Sequence, residues 1–299
     1  MKRKTVALQA NEGSPIKTKS KFEYIRGRLY QERALYFLFI PVFLYYLIFC
    51  YAPMAGLLLA FKKYNASLGI LWSEFVGFEN FIKFFQSYNF GNVLWNTFRI
   101  NIVALLFSFP APIILALSLN EIKCPWFKKP VQTITYLPHF VSVVVLVGFI
   151  SNIFSLEGLV NSVRAIMGLE AITFMQDPKY FTGIFVGSGI WQQIGWNSII
   201  YLAAIAGIDQ ELYEAADIDG AGRFRKIWHI TVQQIIPTIV ILLIMQIGAM
   251  LNVGYEKIIL MQNSLNVSKS EVISSYVYKL GFGNYPDYGR STAVGLFNT

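Results

Sequence analysis

The sequence predicts an all-α integral membrane protein, and three observations support this. Of its 299 residues, 55% are hydrophobic and only 14% are charged, which gives a mean hydropathy of +0.48. That is more apolar side chain than one soluble core of this length can bury. Uncharged runs long enough to cross a bilayer, about 20 residues, recur along the chain. Aromatic residues make up 16% of the chain and suit lipid and its interfaces.

The chain begins with a basic segment, residues 1–33, that holds nine of the 25 Lys and Arg. No aromatic-interleaved basic patch of the kind that binds nucleic acid occurs elsewhere, so we interpret this segment as a cytoplasmic tail. Residues 34–299 are then the transmembrane domain. The first span is predicted at 34–52, which carries no charge and includes Pro41.

Four further spans are predicted at about 100–119, 135–154, 181–205 and 238–253. The segments predicted on the cytoplasmic side of the membrane hold 15 Lys and Arg. The segments predicted on the outer side are longer in total but hold only 10, as the positive-inside rule expects. This predicts a multi-pass membrane protein with its N-terminus in the cytoplasm. Residues 291–299 begin like a membrane helix and lack a polar cap, so we expect a sixth span that is cut short in this chain.

A polar insert at 209–237 separates the last two of these apolar runs. Asp209 can cap a helix, and Asp219-Gly220 followed by Gly222 can end it and turn the chain. In the helix predicted next, one face carries Phe224, Ile227, Trp228 and Thr231, which recur at i, i+3, i+4 and i+7. The insert is therefore predicted to be a helix–turn–helix lying along the membrane face, with Pro237 introducing the next span.

The insert resembles the EAA loop of membrane subunits from binding-protein-dependent ABC importers. The positions that match that pattern in register are Glu214, Ala215, Ala216, Asp219, Gly220, Ala221, Ile230 and Pro237. Two positions depart from it, Ile227 for the usual Phe and Gln233 for the first Pro. The stretches LPHF at 137–140 and STAVGLF at 291–297 are similar to the oligosaccharide-importing subgroup, which includes the aldouronate and lipoprotein-linked polysaccharide permeases.

The resemblance implies a type I ABC importer transmembrane domain with six spans, forming half of a translocation pathway. It implies ATPase coupling through Glu214, Ala215, Ala216, Asp219, Gly220 and Ala221, because the family's loop sits in a cleft of a separate ATPase. The implied partners are a homologous second permease subunit, an ABC ATPase dimer that binds ATP and Mg, and an extracytoplasmic solute-binding protein. The alternative is an ordinary amphipathic hairpin between two spans.

Polar side chains within the predicted spans are candidates for the substrate path, since buried polar groups are costly in a membrane unless they face protein or water. The candidates are Trp191, Gln192, Gln193, Trp196, Asn197, Tyr201, Gln246 and Asn252. Amides beside aromatic rings suit a sugar, which offers hydroxyls and an apolar ring face. The same amides can instead hold helices together, and His139 is interpreted as structural or interfacial.

Several absences from the sequence narrow the function. The chain has no G-x-x-x-x-G-K-[ST] loop and no H-E-x-x-H, and Cys50 and Cys124 offer no metal spacing. We therefore predict no cofactor or metal in this chain, and a transporter subunit rather than an enzyme. An ion-gradient-driven secondary carrier of a neutral solute is the main alternative, and a membrane-embedded enzyme is a weaker one.

Overall fold

In a computed structural model of the chain, the described residues are 32–251 and 253–299. Most of the predicted tail at 1–33, and the path candidate Asn252, lie outside the described residues. The chain divides into two compact units, Met1–Gly56 and Leu57–Thr299.

The described part of the first unit is helical. Helix α1 (Arg33–Tyr46) contains Pro41 and passes through a π-helical turn, Leu47–Tyr51, into the short helix α2 (Ala52–Met54). Helical structure continues as a 3-10 helix at Ala55–Phe61, so that the run Arg33–Phe61 covers 29 residues. The predicted first span lies within this run.

The second unit is also mainly helical, with one two-stranded antiparallel sheet in which Lys62 pairs with Phe75. Its strands are β1 (Lys62–Lys63) and β2 (Glu74–Phe75). Its helices are α3 (Gly69–Trp72), α4 (Glu79–Phe85), α5 (Phe90–Ser108), α6 (Pro110–Glu121), α7 (Pro125–Tyr136), α8 (Val143–Ile153), α9 (Leu159–Ile166), α10 (Pro178–Ala206), α11 (Gln210–Ile218), α12 (Arg223–Lys226), α13 (Val232–Gly248), α14 (Tyr255–Met261), α15 (Val267–Ser270), α16 (Ile273–Phe282) and α17 (Tyr288–Asn298).

Three helical runs of the described chain are long and apolar enough to cross a membrane: Arg33–Phe61, Phe90–Glu121 and Arg223–Gly248. A fourth span exists if Pro125–Phe140 and Val143–Ile153 count as one broken helix. The predicted second span lies within Phe90–Glu121, where Pro110 and Pro112 occupy the first turn of α6 and are tolerated because amides there need no helical partner.

The predicted third span, 135–154, is not one continuous helix, because the helices Pro125–Phe140 and Val143–Ile153 meet within it at a bend of 104°. A 3-10 turn at Leu137–Phe140 follows α7, and the backbone is then extended at Val141 and Ser142. Pro138 lacks the amide that would continue α7. The side chain of Ser142 caps the new helix by accepting a bond from the Val145 amide at 3.4 Å.

The predicted fifth span is also corrected. Helix α13 contains Pro237 in its interior and ends at Gly248, so Pro237 does not introduce the span. The helical run begins at Arg223 and passes through a π-helical turn, Ile227–Thr231, without a break. The second arm of the hairpin and the membrane helix are therefore one continuous helix.

Helix α10 organises the second unit because its two ends pack in two different cores. Phe181 and Ile184 join the core around Leu146 and Ile258, whereas Tyr201 and Ile205 join the core around Ala116 and Ile235. Its 29 residues reach about 43 Å at 1.5 Å per residue. Its glutamines, asparagine and glycines make it less apolar than the candidate spans. The middle of α10, which carries Gln192, Gln193 and Asn197, lies between the two cores.

Candidate coupling hairpin and translocation path

The first arm of the hairpin, α11, has well-defined caps. Asp209 Oδ1 accepts a hydrogen bond from the Glu211 amide at 3.0 Å and begins the helix. At the other end Gly220 has φ +71°, and the Ala221 amide bonds back to the Ala216 carbonyl at 2.9 Å. This left-handed closing turn favours glycine, since a Cβ is strained there. The predicted capping residue and turn are confirmed.

Two side-chain contacts join the arms of the hairpin. Lys226 Nζ lies 2.6 Å from Asp217 Oδ1, and the Tyr213 hydroxyl lies 2.8 Å from Thr231 Oγ1. Thr231 is buried and Phe224 is exposed, so the two do not share one surface face as predicted. The π-helical turn at Ile227–Thr231 explains the difference, because its wider spacing rotates the residues that follow.

The six predicted coupling residues divide by exposure. Glu214, Ala215, Asp219 and Gly220 are exposed, whereas Ala216 and Ala221 are half-buried and line a cavity of about 220 Å³ between the arms. The most exposed apolar side chains of the hairpin are Ile218 and Phe224, at 87% and 88%. Sequence reasoning named Phe224 only as part of one face of the second helix and passed over Ile218, although the position of both beside the Asp219-Gly220 turn marks them.

The break between α7 and α8 places His139 against the middle of α10. His139 Nδ1 and Gln193 Oε1 are 2.9 Å apart, and the rings of His139 and Trp196 stack with centroids 4.2 Å apart and planes 3° apart. Gly195 permits this close approach, because a Cβ there would collide with the Thr135 carbonyl. The structural role predicted for His139 therefore includes orienting two path candidates.

Three other candidates line one cavity on the hairpin side of this cluster. Asn197, Tyr201 and Gln246 border a space of about 270 Å³ together with Ser108, Phe109 and Met245. Residues from α5, α10 and α13 thus converge on one space, whose lining is mostly apolar and includes the hydrogen-bonding side chains of Asn197, Tyr201 and Gln246.

The remaining candidates do not join these groups. Gln192 is buried and its Nε2 donates to the Val141 carbonyl at 3.0 Å, so it holds α10 to the broken segment. Trp191 stacks on Phe149 at 6.3 Å and lines a separate, mostly apolar cavity of about 720 Å³ between α8 and α10.

Lys257 is a charged residue beside α10 that sequence reasoning passed over. Its Nζ donates to the Phe185 carbonyl at 2.9 Å and lies 4.7 Å from the centre of the Phe185 ring. Lys257 belongs to α14, outside the candidate spans, and burial lowers its pKa to about 8, since desolvation disfavours the charged form. A Lys in an apolar short helix gives no periodic signal that would mark it.

The helical fold with its apolar spans, together with the capped EAA-type hairpin, defines the transmembrane domain of a type I ABC importer. A match to the family described as "Binding-protein-dependent transport system inner membrane component" covers residues 108–282. The chain belongs to this family, and it is a permease subunit rather than an enzyme.

Curated relatives cover nearly the whole chain. Protein LplB of Bacillus subtilis is 45% identical over 96% of this chain and 90% of its own length. The polygalacturonan/rhamnogalacturonan transport system permease YteP of the same species is 41% identical over 93% of this chain and 87% of its own. The arabinooligosaccharides permease AraP, also from that species, is 28% identical over 94% of this chain and 89% of its own.

A solved bacterial ABC transporter involved in import of the acidic polysaccharide alginate has a similar chain. The two are 40% identical with a TM-score of 0.86, over 92% of this chain and 93% of that one. A second structure, of the alginate transporter with an alginate pentasaccharide-bound periplasmic protein, gives a TM-score of 0.84 at 40% identity over 91% of each chain.

Proposed function

We propose that this chain is one of two permease subunits of an ATP-driven oligosaccharide importer, and that its hairpin docks into a separate ATPase. The observation that carries the coupling proposal is the exposure of Ile218 and Phe224 on either side of the Asp219-Gly220 turn. Two large apolar side chains at a charged hairpin tip are suited to a partner's cleft. Exposed Glu214 and Asp219 can accept hydrogen bonds at its rim.

The construction of the hairpin suits the transmission of force. The contacts Asp217–Lys226 and Tyr213–Thr231 make its two arms move as one body. The second arm continues without a break into α13, so that a displacement at the tip reaches the cavity bordered by Gln246. In this proposal ATP closes the ATPase dimer and turns the path outward, and hydrolysis resets it, which is a coupling free energy between two distant sites.

The proposed path runs along α10, past the His139–Gln193–Trp196 cluster and the cavity at Asn197. The amides and aromatic faces there fit sugar hydroxyls and ring faces. Names of similar proteins support this substrate class, since polygalacturonan and arabinooligosaccharides permeases are among them.

The proposed assembly contains a homologous second permease subunit, an ATPase pair that binds ATP and Mg, and an extracytoplasmic binding protein. The alginate transporter solved with a loaded periplasmic protein supports the last of these. We place the complex in a bacterial cell membrane with the hairpin and the N-terminus in the cytoplasm, because the basic residues concentrate on that side.

The test is to co-express the permease pair with its ATPase and to substitute Ile218→Ser and Phe224→Ser together. Burying each side chain is worth about 1.5–3 kcal/mol, so we expect ATPase co-purification to fall at least tenfold with unchanged protein in the membrane. Phe282→Ser is the matched control, because Phe282 is 76% exposed on α16. Unchanged ATPase association would refute the docking assignment, and uptake driven by an ion gradient without ATP would indicate a secondary carrier.

A further inference from the structure

Lys257 is a half-buried cation. Among residues 32–251 and 253–299 it forms no ion pair, whereas Lys226 and Lys279 each have one. Its ammonium has three donors, and one of them is used, on the Phe185 carbonyl. A desolvated ammonium without counter-charge is costly, and a carboxylate at this position would offset that cost.

The position of Lys257 is fixed by the core. Its neighbour Ile258 is fully buried, as is Met261 one turn further along α14. The start of α14 is held by Ser274, whose hydroxyl donates to the Val253 carbonyl at 2.6 Å. The ammonium therefore projects from a rigid element, as a binding group requires.

Lys257 contacts the face of α10 that carries the path candidates. Phe185, Gly189 and Gln193 recur at intervals of four residues, which places them on one face. A Cβ on Gly189 would stand 3.6 Å from Lys257 Nζ, and Gln193 follows one turn later, about 6 Å along the axis. The cation thus lies about one helical turn from Gln193 of the His139–Gln193–Trp196 cluster, on the side of the cluster away from the hairpin.

We propose that Lys257 binds a carboxylate of the transported oligosaccharide, so that the substrate is an acidic oligosaccharide of the uronate type. This inference rests on the proposed function, because it requires that α10 lines the path. The aromatic and amide groups next to Lys257 would contact the sugar ring and hydroxyls, and the ammonium would select the charged unit over a neutral one.

The test compares trigalacturonate with its methyl ester, which has the same ring but no charge. We would measure the binding of each ligand to a complex of this chain and the homologous second permease subunit, in nanodiscs without the ATPase. The expected result is that the wild type binds the acid more tightly and that Lys257→Gln weakens acid binding roughly tenfold to hundredfold, with ester binding unchanged. Lys257→Arg should retain the preference for the acid.

Lys179→Gln is the matched control, because the Lys179 ammonium also lies over an aromatic ring, 5.7 Å from the centre of the Tyr180 ring. Unlike Lys257, Lys179 is exposed and lines the mostly apolar cavity between α8 and α10. Equal binding of acid and ester by the wild type, or equal loss of both in Lys257→Gln, would overturn the proposal. ATP-driven uptake into proteoliposomes that also contain the ATPase, and ATPase association, are measured separately for the same variants. Failure of ATPase docking refutes the proposed coupling and leaves the binding result intact.

Discussion

Asp217 and Lys226 lie on opposite arms of the hairpin and are joined by a contact of 2.6 Å across the Asp219-Gly220 turn. The Lys226 side chain is only 21% exposed, whereas that of Asp217 is 63% exposed. The pair closes the hairpin near its tip, and the Tyr213–Thr231 contact closes it nearer the membrane helix. Because the two contacts lie at different distances from the turn, they prevent the arms from separating and from shifting along each other.

Breaking the tip closure should weaken coupling without abolishing it. A partly exposed ion pair contributes up to about 1 kcal/mol, so Asp217→Asn or Lys226→Met should lower binding-protein-stimulated ATP hydrolysis by roughly twofold to fivefold. The exchanged pair, Asp217→Lys with Lys226→Asp, should recover most of the loss. If the exchanged pair remains as impaired as the single variants, the contact does not act through pairing.

Gly220 should tolerate substitution much less well than Gly222. Gly220 has φ +71°, where a side chain costs about 1–2 kcal/mol, whereas Gly222 has φ −68°. We expect Gly220→Ala to reduce ATP-driven uptake several-fold and Gly220→Pro to abolish it, with normal amounts of protein in the membrane. Gly222→Ala is the control and should transport as the wild type does; equal uptake by all three variants would contradict a role for the turn.

Gly195 should be a stability position. A Cβ there collides with the Thr135 carbonyl, whereas a Cβ on Gly183 of the same helix would have only its own helical turn within 4 Å among the described residues. Overpacking of this kind costs about 1–3 kcal/mol. Gly195→Ala should therefore lower the thermal unfolding temperature of the purified protein by several degrees, and Gly183→Ala should leave it unchanged. A similar temperature for both variants would show that α7 and α10 are not in close contact.

Composition and local patterns predicted much of this fold. The uncharged run at 34–52 and the helix over 181–205 lie within observed helices, and the Asp209 cap and the glycine turn follow from local backbone chemistry. The bend at 137–142 and the uninterrupted helix through Pro237 were missed. A proline can end a helix, bend it or be tolerated within it, and the packing of other segments decides which.

The residues of the translocation path were predicted less completely. Whether a side chain is buried, and which group it bonds, depends on how distant segments pack together. Gln192 and Gln193 are adjacent amides in the sequence, yet one is buried against the Val141 carbonyl and the other is held by His139. Nothing local distinguishes them. Lys257 was missed for the same reason, since only the fold shows that it contacts α10.

The two tryptophans of α10 should differ in importance. Trp196 and Trp191 are similarly exposed, at 42% and 48%, but they lie in different surroundings. One face of the Trp196 ring is covered by His139, which fixes its orientation beside Gln193, whereas Trp191 stacks on Phe149 beside the apolar cavity. A fixed aromatic ring next to an amide can present a stacking surface to a sugar.

We therefore expect Trp196→Ala to reduce oligosaccharide uptake about tenfold, since an aromatic contact is worth about 0.5–1.5 kcal/mol beyond the area it buries. Trp196→Phe should retain part of the activity, and Trp191→Ala should be close to the wild type. Uptake into proteoliposomes is measured together with basal ATP hydrolysis, which should stay constant because the hairpin is intact. Equal loss in both alanine variants would indicate general destabilisation of α10, and undiminished uptake by Trp196→Ala would remove this ring from the path.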